Sequence, residues 1–126
     1  IHAQGGLVYI PHPFETMRKG LSYETLQGIA KHVDIMEVHN GRAIFQNFSG
    51  QATAWALEHG VPGASSSDAH GVAGWGRTYT VIGKTPTRKN LVGQLQKAAY
   101  AHRFPGLHGM LYPKINRWQK RRDKNA

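Results

Sequence analysis

The sharpest chemical feature of the sequence is the pair Asp68 and His70, which are separated by one residue. Two side chains at positions i and i+2 just beyond a strand can both turn toward one metal ion, through a carboxylate oxygen and an imidazole nitrogen. Small residues precede the pair and glycines follow it, so the backbone there can bend closely around a site. The pair alone is a weak signal, and the alternative is an Asp that caps the loop beside an uninvolved His.

Polar residues with metal-binding or phosphate-binding chemistry also follow two other apolar runs. His12 stands between two prolines after residues 7–10, and Glu37, His39 and Asn40 end the run that begins at residue 34. The carboxyl ends of parallel strands meet at one edge of a sheet, where α/β proteins place their active sites. Each residue also has an alternative role. His12 is then only a loop residue, and Glu37 is a structural carboxylate that pairs with Arg42 or with backbone N–H groups. His39 and Asn40 are then substrate contacts or supports for the metal ligands.

The elements that must position these residues alternate along the chain. Strands are predicted over residues 7–10, 34–38, 62–66 and 77–82 from short apolar or β-branched runs. Helices are predicted over residues 23–32, capped by Ser22, over residues 47–59, ended by Gly60, and after Thr87. Strands alternating with helices of this length favour a parallel sheet with right-handed crossovers. The expected inward residues of the second and third helices are Phe48, Ala52, Trp55, Ala56, Leu91, Leu95, Ala98 and Ala99.

Composition excludes several classes of protein. Hydrophobic residues make up 40% of the 126, which is enough for a core. No apolar run approaches about 18 residues, so no membrane span and no membrane partner are expected. Cysteine is absent, which rules out disulfides and thiolate metal sites and is compatible with the cytoplasm, the location we expect. Any transition-metal site must therefore use His, Asp or Glu.

The charge is concentrated in the last third of the chain. Residues 1–83 hold 5 Lys/Arg against 6 Asp/Glu, whereas residues 84–126 hold 11 against 1. We therefore predict a near-neutral domain over residues 1–102 and a basic extension without clear periodicity over residues 103–126. One alternative function is nucleic-acid binding, in which the extension neutralises phosphates and Trp118 stacks on a base. The other interpretation is a basic tail that is merely solvated.

Three segments together resemble motifs of one enzyme family. Residues 5–13 resemble a strand that ends in His-Pro, and residues 34–42 resemble a strand followed by Glu-x-x-Asn-Gly. Ser67-Asp68-Ala69-His70, with the strand that follows it, resembles a Ser-Asp-x-His motif. In order and spacing, residues 1–100 are similar to the C-terminal part of the polymerase and histidinol phosphatase (PHP) family of metal-dependent phosphoesterases.

The resemblance implies a fold, a cofactor and a site. The fold is α/β, a partial distorted (β/α)7 TIM-like barrel with only its C-terminal strands and helices. The cofactors are divalent Mn, Fe or Zn ions, and the reaction is hydrolysis of a phosphate monoester or diester in a phosphorylated small molecule or nucleotide. The implied metal ligands are His12, Asp68 and His70, with Asp68 also orienting the nucleophile, and the implied substrate contacts are Arg18, Asn40 and Arg42.

The sequence departs from the family in lacking any His-x-His motif, which the family carries near the start of its barrel. Three ligands cannot hold a multi-metal site, so we expect an incomplete fragment whose N-terminal half is missing. The full-length protein is expected to be a hydrolase, and the fragment to be weakly active or inactive. The alternative is a non-catalytic remnant, which would associate with itself or with a partner through an exposed apolar face.

Overall fold

A three-stranded parallel sheet forms the centre of the molecule in a computed structural model that describes residues 1–15, 20–43, 48–103 and 106–124. The strands are β1 (Tyr9–Ile10), β2 (Ile35–Asn40) and β3 (Gly63–Ser66), in the order β1-β2-β3. Helices α1 (Tyr23–Ile29) and α2 (Ser49–Glu58) connect them. The predicted α/β class and the parallel order of the first three strands are therefore confirmed.

The two connecting helices begin and end where local chemistry favours it. The Ser22 hydroxyl accepts a hydrogen bond from the Thr25 N–H, which satisfies a donor that the first turn of α1 leaves unpaired. A short 3-10 helix, Ala30–His32, continues α1. Beyond the end of α2, Gly60 has a φ of 65°, a left-handed conformation that glycine adopts without strain.

Both faces of the sheet are covered, because neighbouring residues of β2 point to opposite sides. Met36 packs in the larger core cluster with Leu26 of α1 and Trp55 of α2. Ile35 packs in a smaller cluster with Ala64 of β3 and Leu95 of α3 (Leu91–Leu95). A parallel strand that is buried on both faces is expected to be largely apolar, and Ile35, Met36 and Val38 of β2 fit this expectation. The buried polar residues at its end therefore stand out against this background.

The fourth predicted strand forms, but it does not join the parallel sheet. β4 (Thr78–Val81) pairs antiparallel with β5 (Ala99–His102), so the parallel sheet has three strands and the fourth predicted strand lies outside it. The prediction that Ala98 and Ala99 belong to a helix was also wrong, because α3 ends at Leu95. Alanine favours helices, but the open edge of β4 offers a ladder of backbone hydrogen bonds that outweighs this propensity.

The described strands do not close into a barrel: they form the three-stranded sheet and a separate two-stranded sheet. Most of the extension after residue 102 is a helix, α4 (Gly106–Lys124), although its sequence shows no clear helical periodicity and contains Pro113. The boundary between domain and extension at residue 102 stays a prediction. Among the described residues, no helix is long and apolar enough to cross a membrane.

The packing predicts how stability depends on two leucines. Leu26 is fully buried between α1 and the sheet, whereas 77% of Leu57 on α2 is exposed. Leu26→Ala should lower the free energy of unfolding by about 2–5 kcal/mol, because the core cannot fully collapse into the cavity. Leu57→Ala, the control, should change it by about 0.5 kcal/mol or less. Urea denaturation followed by circular dichroism measures both, and equal losses would contradict the assigned core.

Candidate functional site

The carboxylate of Glu37 lies buried at the end of β2 and is bonded from all three parallel strands. Its Oε2 atom accepts hydrogen bonds from the hydroxyls of Tyr9 in β1, at 2.7 Å, and Ser66 in β3, at 2.8 Å. Its Oε1 atom accepts one from the Asn40 side-chain amide at 2.6 Å. A buried carboxylate is tolerated only when donors replace its lost hydration, and these three do so. The three strand ends are thereby joined through one side chain.

A β-bulge decides which residues share a face with Glu37. Glu37 is opposite Ala64 of β3, and His39 is opposite Ser65, so Val38 is the extra residue in β2. In a regular strand Glu37 and His39 would point to the same side. The bulge changes this alternation. Asn40 contacts Glu37, whereas His39 lies near the aromatic ring of Tyr100.

Asn40 connects the buried carboxylate of Glu37 to Asp68, one of the predicted metal ligands. Its Nδ2 atom also donates to Asp68 Oδ2 at 3.3 Å, and its Oδ1 atom accepts from the Arg42 backbone N–H at 2.8 Å. Ionised carboxylates only accept hydrogen bonds, so the amide nitrogen must face the two acids. The predicted substrate contact Asn40 therefore holds Glu37 and Asp68 beside each other.

Asp68 is surrounded by the residues that the sequence pattern grouped with it. Arg42 Nη1 lies 3.5 Å from its Oδ2 atom, and His70 Nε2 lies 3.6 Å from its Oδ1 atom. The second distance is too long for a hydrogen bond but keeps the two ligand types adjacent. Asp68 has a φ of 47°, in the left-handed region that costs a non-glycine residue energy and that occurs often at functional sites.

His12 lies at the end of β1 and faces a small cavity beside Glu37. The cavity has a volume of about 10 Å³, close to the least space that one water molecule needs, and Glu15, Glu37 and Asn40 also line it. The Nδ1 atom of His12 is buried and has no hydrogen-bond partner among the described residues. Its φ of 27° is strained, as is that of Asp68. A buried imidazole nitrogen without a partner is available to a ligand.

The chemistry of these donors suits a divalent metal, but the described residues do not complete a site. No three of their His, Asp or Glu side chains form a group that could hold a metal ion. The Glu37 oxygens are already engaged by three donors, and Asp68 contacts Asn40 and Arg42. The structure therefore does not bring His12, Asp68 and His70 together as one group of ligands, and a metal ion bound by any of them would also need groups beyond the described residues. Arg18, a predicted substrate contact, lies outside the described residues.

His39 belongs to a different region from the acids. It lines a cavity of about 330 Å³ together with Tyr100, and the two rings meet edge to face with centroids 5.3 Å apart. Burial lowers the pKa of His39, and the nearby His102 lowers it further. The sequence pattern grouped His39 with Glu37 and Asn40, but in the structure His39 lies beside Tyr100 instead.

Two site residues were not found from the sequence: Tyr9 and Ser66. Both donate to Glu37, but their hydroxyls carry no motif, and their facing depends on the register of β1 and β3 against β2. The only available signal was their position at or near a strand end. Burial raises the pKa of the Tyr9 phenol well above its usual value, and the charge of Glu37 raises it further.

Two comparisons relate this architecture to known proteins. Residues 48–100 match the model of a family described as PHP-associated, and this stretch contains Asp68 and His70. The fold is similar to the crystal structure of PsfC from Pseudomonas syringae PB-5123, with a TM-score of 0.50 and 15% sequence identity. The similarity covers 84% of this chain and 42% of that one, so the chain spans less than half the length of PsfC. No curated protein sequence matches the chain.

The bridging role of Asn40 predicts a severe effect of one added charge. Asn40→Asp replaces the donor between Glu37 and Asp68 with a third acceptor, so the free energy of unfolding should fall by about 3 kcal/mol at neutral pH. The loss should shrink as the pH falls through the carboxyl range, because protonation restores donors. Gln51→Glu is the control, because it adds the same charge at an exposed amide of α2. Equal urea midpoints for the two variants at neutral pH would contradict the bridge.

The raised pKa of Tyr9 predicts a loss of stability in alkali. The folded state keeps the phenol proton while the unfolded chain releases it near pH 10, so the stabilisation is complete below pH 10 and declines above it. Tyr9→Phe should therefore be less stable than the parent at neutral pH and should lose stability less steeply above pH 10. Tyr79→Phe, at an exposed ring, is the control. Parallel pH profiles for Tyr9→Phe and the parent protein would refute the assignment.

Proposed function

We propose that this chain contributes part of the active site of a metal-dependent phosphoesterase, because residues 48–100 match the family model described as PHP-associated. The substrate is a phosphate monoester or diester in a phosphorylated small molecule or nucleotide, as the family resemblance implies. In this proposal the parallel strands belong to the C-terminal portion of a distorted TIM-like barrel. PsfC, of which the chain covers 42%, supports the fold alone.

The observation that carries the proposal is the cluster of Asn40, Arg42 and Asp68 at the ends of β2 and β3. The Asp68 carboxylate lies 3.3 Å from the Asn40 amide and 3.5 Å from the Arg42 guanidinium, beside the imidazole of His70. Carboxylate and imidazole groups suit a divalent metal, and a guanidinium suits the oxygens of a phosphate. A cluster built only for stability would not need the strained backbone of Asp68.

Arg42 is the described residue best placed to bind a phosphoryl group. Its Nη1 atom approaches Asp68, while its Nε atom is buried and has no hydrogen-bond partner among the described residues. A guanidinium presents its N–H donors in a rigid fork, and the Arg42 side chain is 21% exposed, so a phosphate oxygen can accept from its accessible donors. Arg42 would thus hold the substrate beside Asp68 and offset negative charge that develops during hydrolysis. Arg18 is a second candidate for this role.

His12, Asp68 and His70 would hold the metal, with the remaining ligands supplied from outside the described residues. A bound divalent ion supplies an activated water and polarises the phosphoryl oxygens. The role of Asp68 is then to orient the attacking water, in a position determined by its contacts with Asn40 and Arg42. Mn, Fe and Zn are all compatible with this donor set.

Replacing Asp68 tests the proposal in the complete gene product. Asp68→Asn keeps the size of the side chain but removes the ligand charge, so hydrolysis of p-nitrophenyl phosphate with added Mn should fall about 100-fold or more. Bound metal, measured by mass spectrometry, should fall as well. Asp123→Asn on α4 is the control, because that carboxylate is exposed and lies outside the cluster. If Asp68→Asn retains both the hydrolysis rate and the metal content, the cluster is not catalytic.

Arg42→Gln gives a second, independent readout. Loss of the guanidinium should raise the KM for the phosphate ester more than it changes the metal content, because Arg42 binds the substrate rather than the ion. Unchanged circular dichroism spectra would show that both variants fold. A complete protein with no hydrolysis and no bound metal would instead identify a non-catalytic member of the family.

A further inference from the structure

Helix α4 packs on the loop that carries His70, and two contacts define the side that it buries. The Tyr112 ring occupies the space that a side chain at residue 71 would need, so only glycine fits at that position. One turn later, the Asn116 side-chain amide donates to the His70 carbonyl oxygen at 2.9 Å. Tyr112 and Asn116 are four residues apart and therefore share one face of the helix. That face is turned toward the domain.

A different face of α4 is exposed and strongly basic. Lys114, Arg117, Trp118 and Arg121 follow an i, i+3, i+4, i+7 spacing, which places them on one side of a helix. All four are exposed, and together they line a surface groove of about 300 Å³. The Arg117 Nε atom donates to the Pro113 carbonyl oxygen at 3.3 Å, which holds the guanidinium stem against the helix.

The groove combines positive charge with an aromatic surface. α4 carries six Lys or Arg residues against the single acid Asp123. The Trp118 side chain is 58% exposed, and the Arg122 guanidinium lies 4.8 Å from the centre of its ring. Exposing a tryptophan among cations has no benefit for folding, since burial of its ring would stabilise the protein. The arrangement resembles surfaces that bind phosphates and stack bases at the same time.

We propose that this basic face of α4 binds single-stranded nucleic acid. Lys114, Arg117 and Arg121 contact successive phosphates, and Trp118 stacks on an unpaired base. Leu111, Ile115 and Trp118 lie on one side of α4, but Trp118 is the last large apolar residue before Lys124, so the apolar side ends there while the positive charge continues. The chemistry therefore favours a nucleic acid over a lipid surface. A helix that inserts into a membrane needs a continuous apolar stripe there.

This binding surface goes beyond the proposed hydrolysis and does not depend on it. The bond from Asn116 to His70 anchors α4 beside the loop that carries Asp68, so a bound strand lies next to the strand-end cluster. The contacts described for the basic face, from Arg117 to Pro113 and from Arg122 to Trp118, lie within α4 itself. Binding can therefore be measured in EDTA, where failure of the phosphoesterase proposal would leave the result unchanged.

Fluorescence anisotropy with a labelled oligo-dT of about 20 nucleotides tests the inference on the whole chain. Three phosphate contacts, from Lys114, Arg117 and Arg121, predict a slope of about −2 for log K against log salt concentration. The range from about 50 to 200 mM salt is sufficient to measure this slope. Undetectable binding in this range, or an affinity independent of salt, would overturn the proposal.

Two variants separate the contributions of charge and stacking. Lys114→Gln combined with Arg121→Gln should make the slope shallower by about 1.4, because two phosphate contacts are removed. Trp118→Ala should weaken binding about 5- to 100-fold while leaving the slope unchanged. The controls lie outside α4. Lys31→Gln combined with Lys84→Gln removes the same charge, Tyr79→Ala removes an exposed ring, and both should bind as the parent does.

Two further outcomes contradict the assignment. If the α4 variants and the controls lose affinity equally, the binding is a general effect of net charge rather than a property of this face. If vesicles containing phosphatidylserine bind the chain more tightly than the oligonucleotide does, and Trp118→Ala abolishes that binding, the partner is a lipid surface. Circular dichroism of each variant, compared with the parent, confirms that α4 remains folded during the test.

Discussion

The buried carboxylate of Glu37 is the constraint on which the arrangement of the sheet ends depends. Ionised and removed from water, it needs a donor at each lone pair that solvent no longer reaches. Tyr9, Asn40 and Ser66 supply these donors from β1, β2 and β3. A shift of one residue in either strand pairing would turn a hydroxyl away and leave the charge unsatisfied. Burial raises the pKa of Tyr9, and the same interaction raises it further, since an ionised phenolate would face a carboxylate.

The bulge at Val38 divides the polar end of β2 between two regions. It directs Asn40 toward Glu37 and Asp68, and it leaves His39 in the cavity beside Tyr100. One extra residue in a strand reverses the facing of every residue that follows, so a small local change redistributes the available chemistry. The cluster that supports phosphoester hydrolysis thus depends on backbone geometry as much as on the residue types present.

The loop of Asp68 and His70 connects the two functional surfaces proposed for this chain. On one side Asp68 contacts Asn40 and Arg42 at the strand ends, and on the other the His70 carbonyl oxygen accepts a bond from α4. The near-neutral domain places acids and imidazoles at the sheet, while the basic charge is carried outward by the helix. The two surfaces suit different groups. The strand ends suit a metal ion and a phosphoryl group, whereas the basic face of α4 suits a phosphate backbone.

Residue types and spacing alone determined the α/β class, the first three strands, the capping of α1 by Ser22 and the buried side of α2. These features rest on local periodicity and hydrogen bonding that neighbouring residues provide. The strand-end residues Asn40, Asp68 and His70 were also expected at one edge of the sheet, because the ends of parallel strands must meet, and the structure has them next to one another. Their roles in binding a metal or a substrate stay predictions. Only the tertiary structure decided the pairing of β4 with β5, the bulge that separates His39 from Asn40, and the side of α4 that faces solvent. Each of these depends on contacts between residues that are distant in sequence. The free energies of those contacts outweigh the helix propensity of Ala98 and Ala99, the helix-breaking effect of Pro113 and the regular alternation of β2.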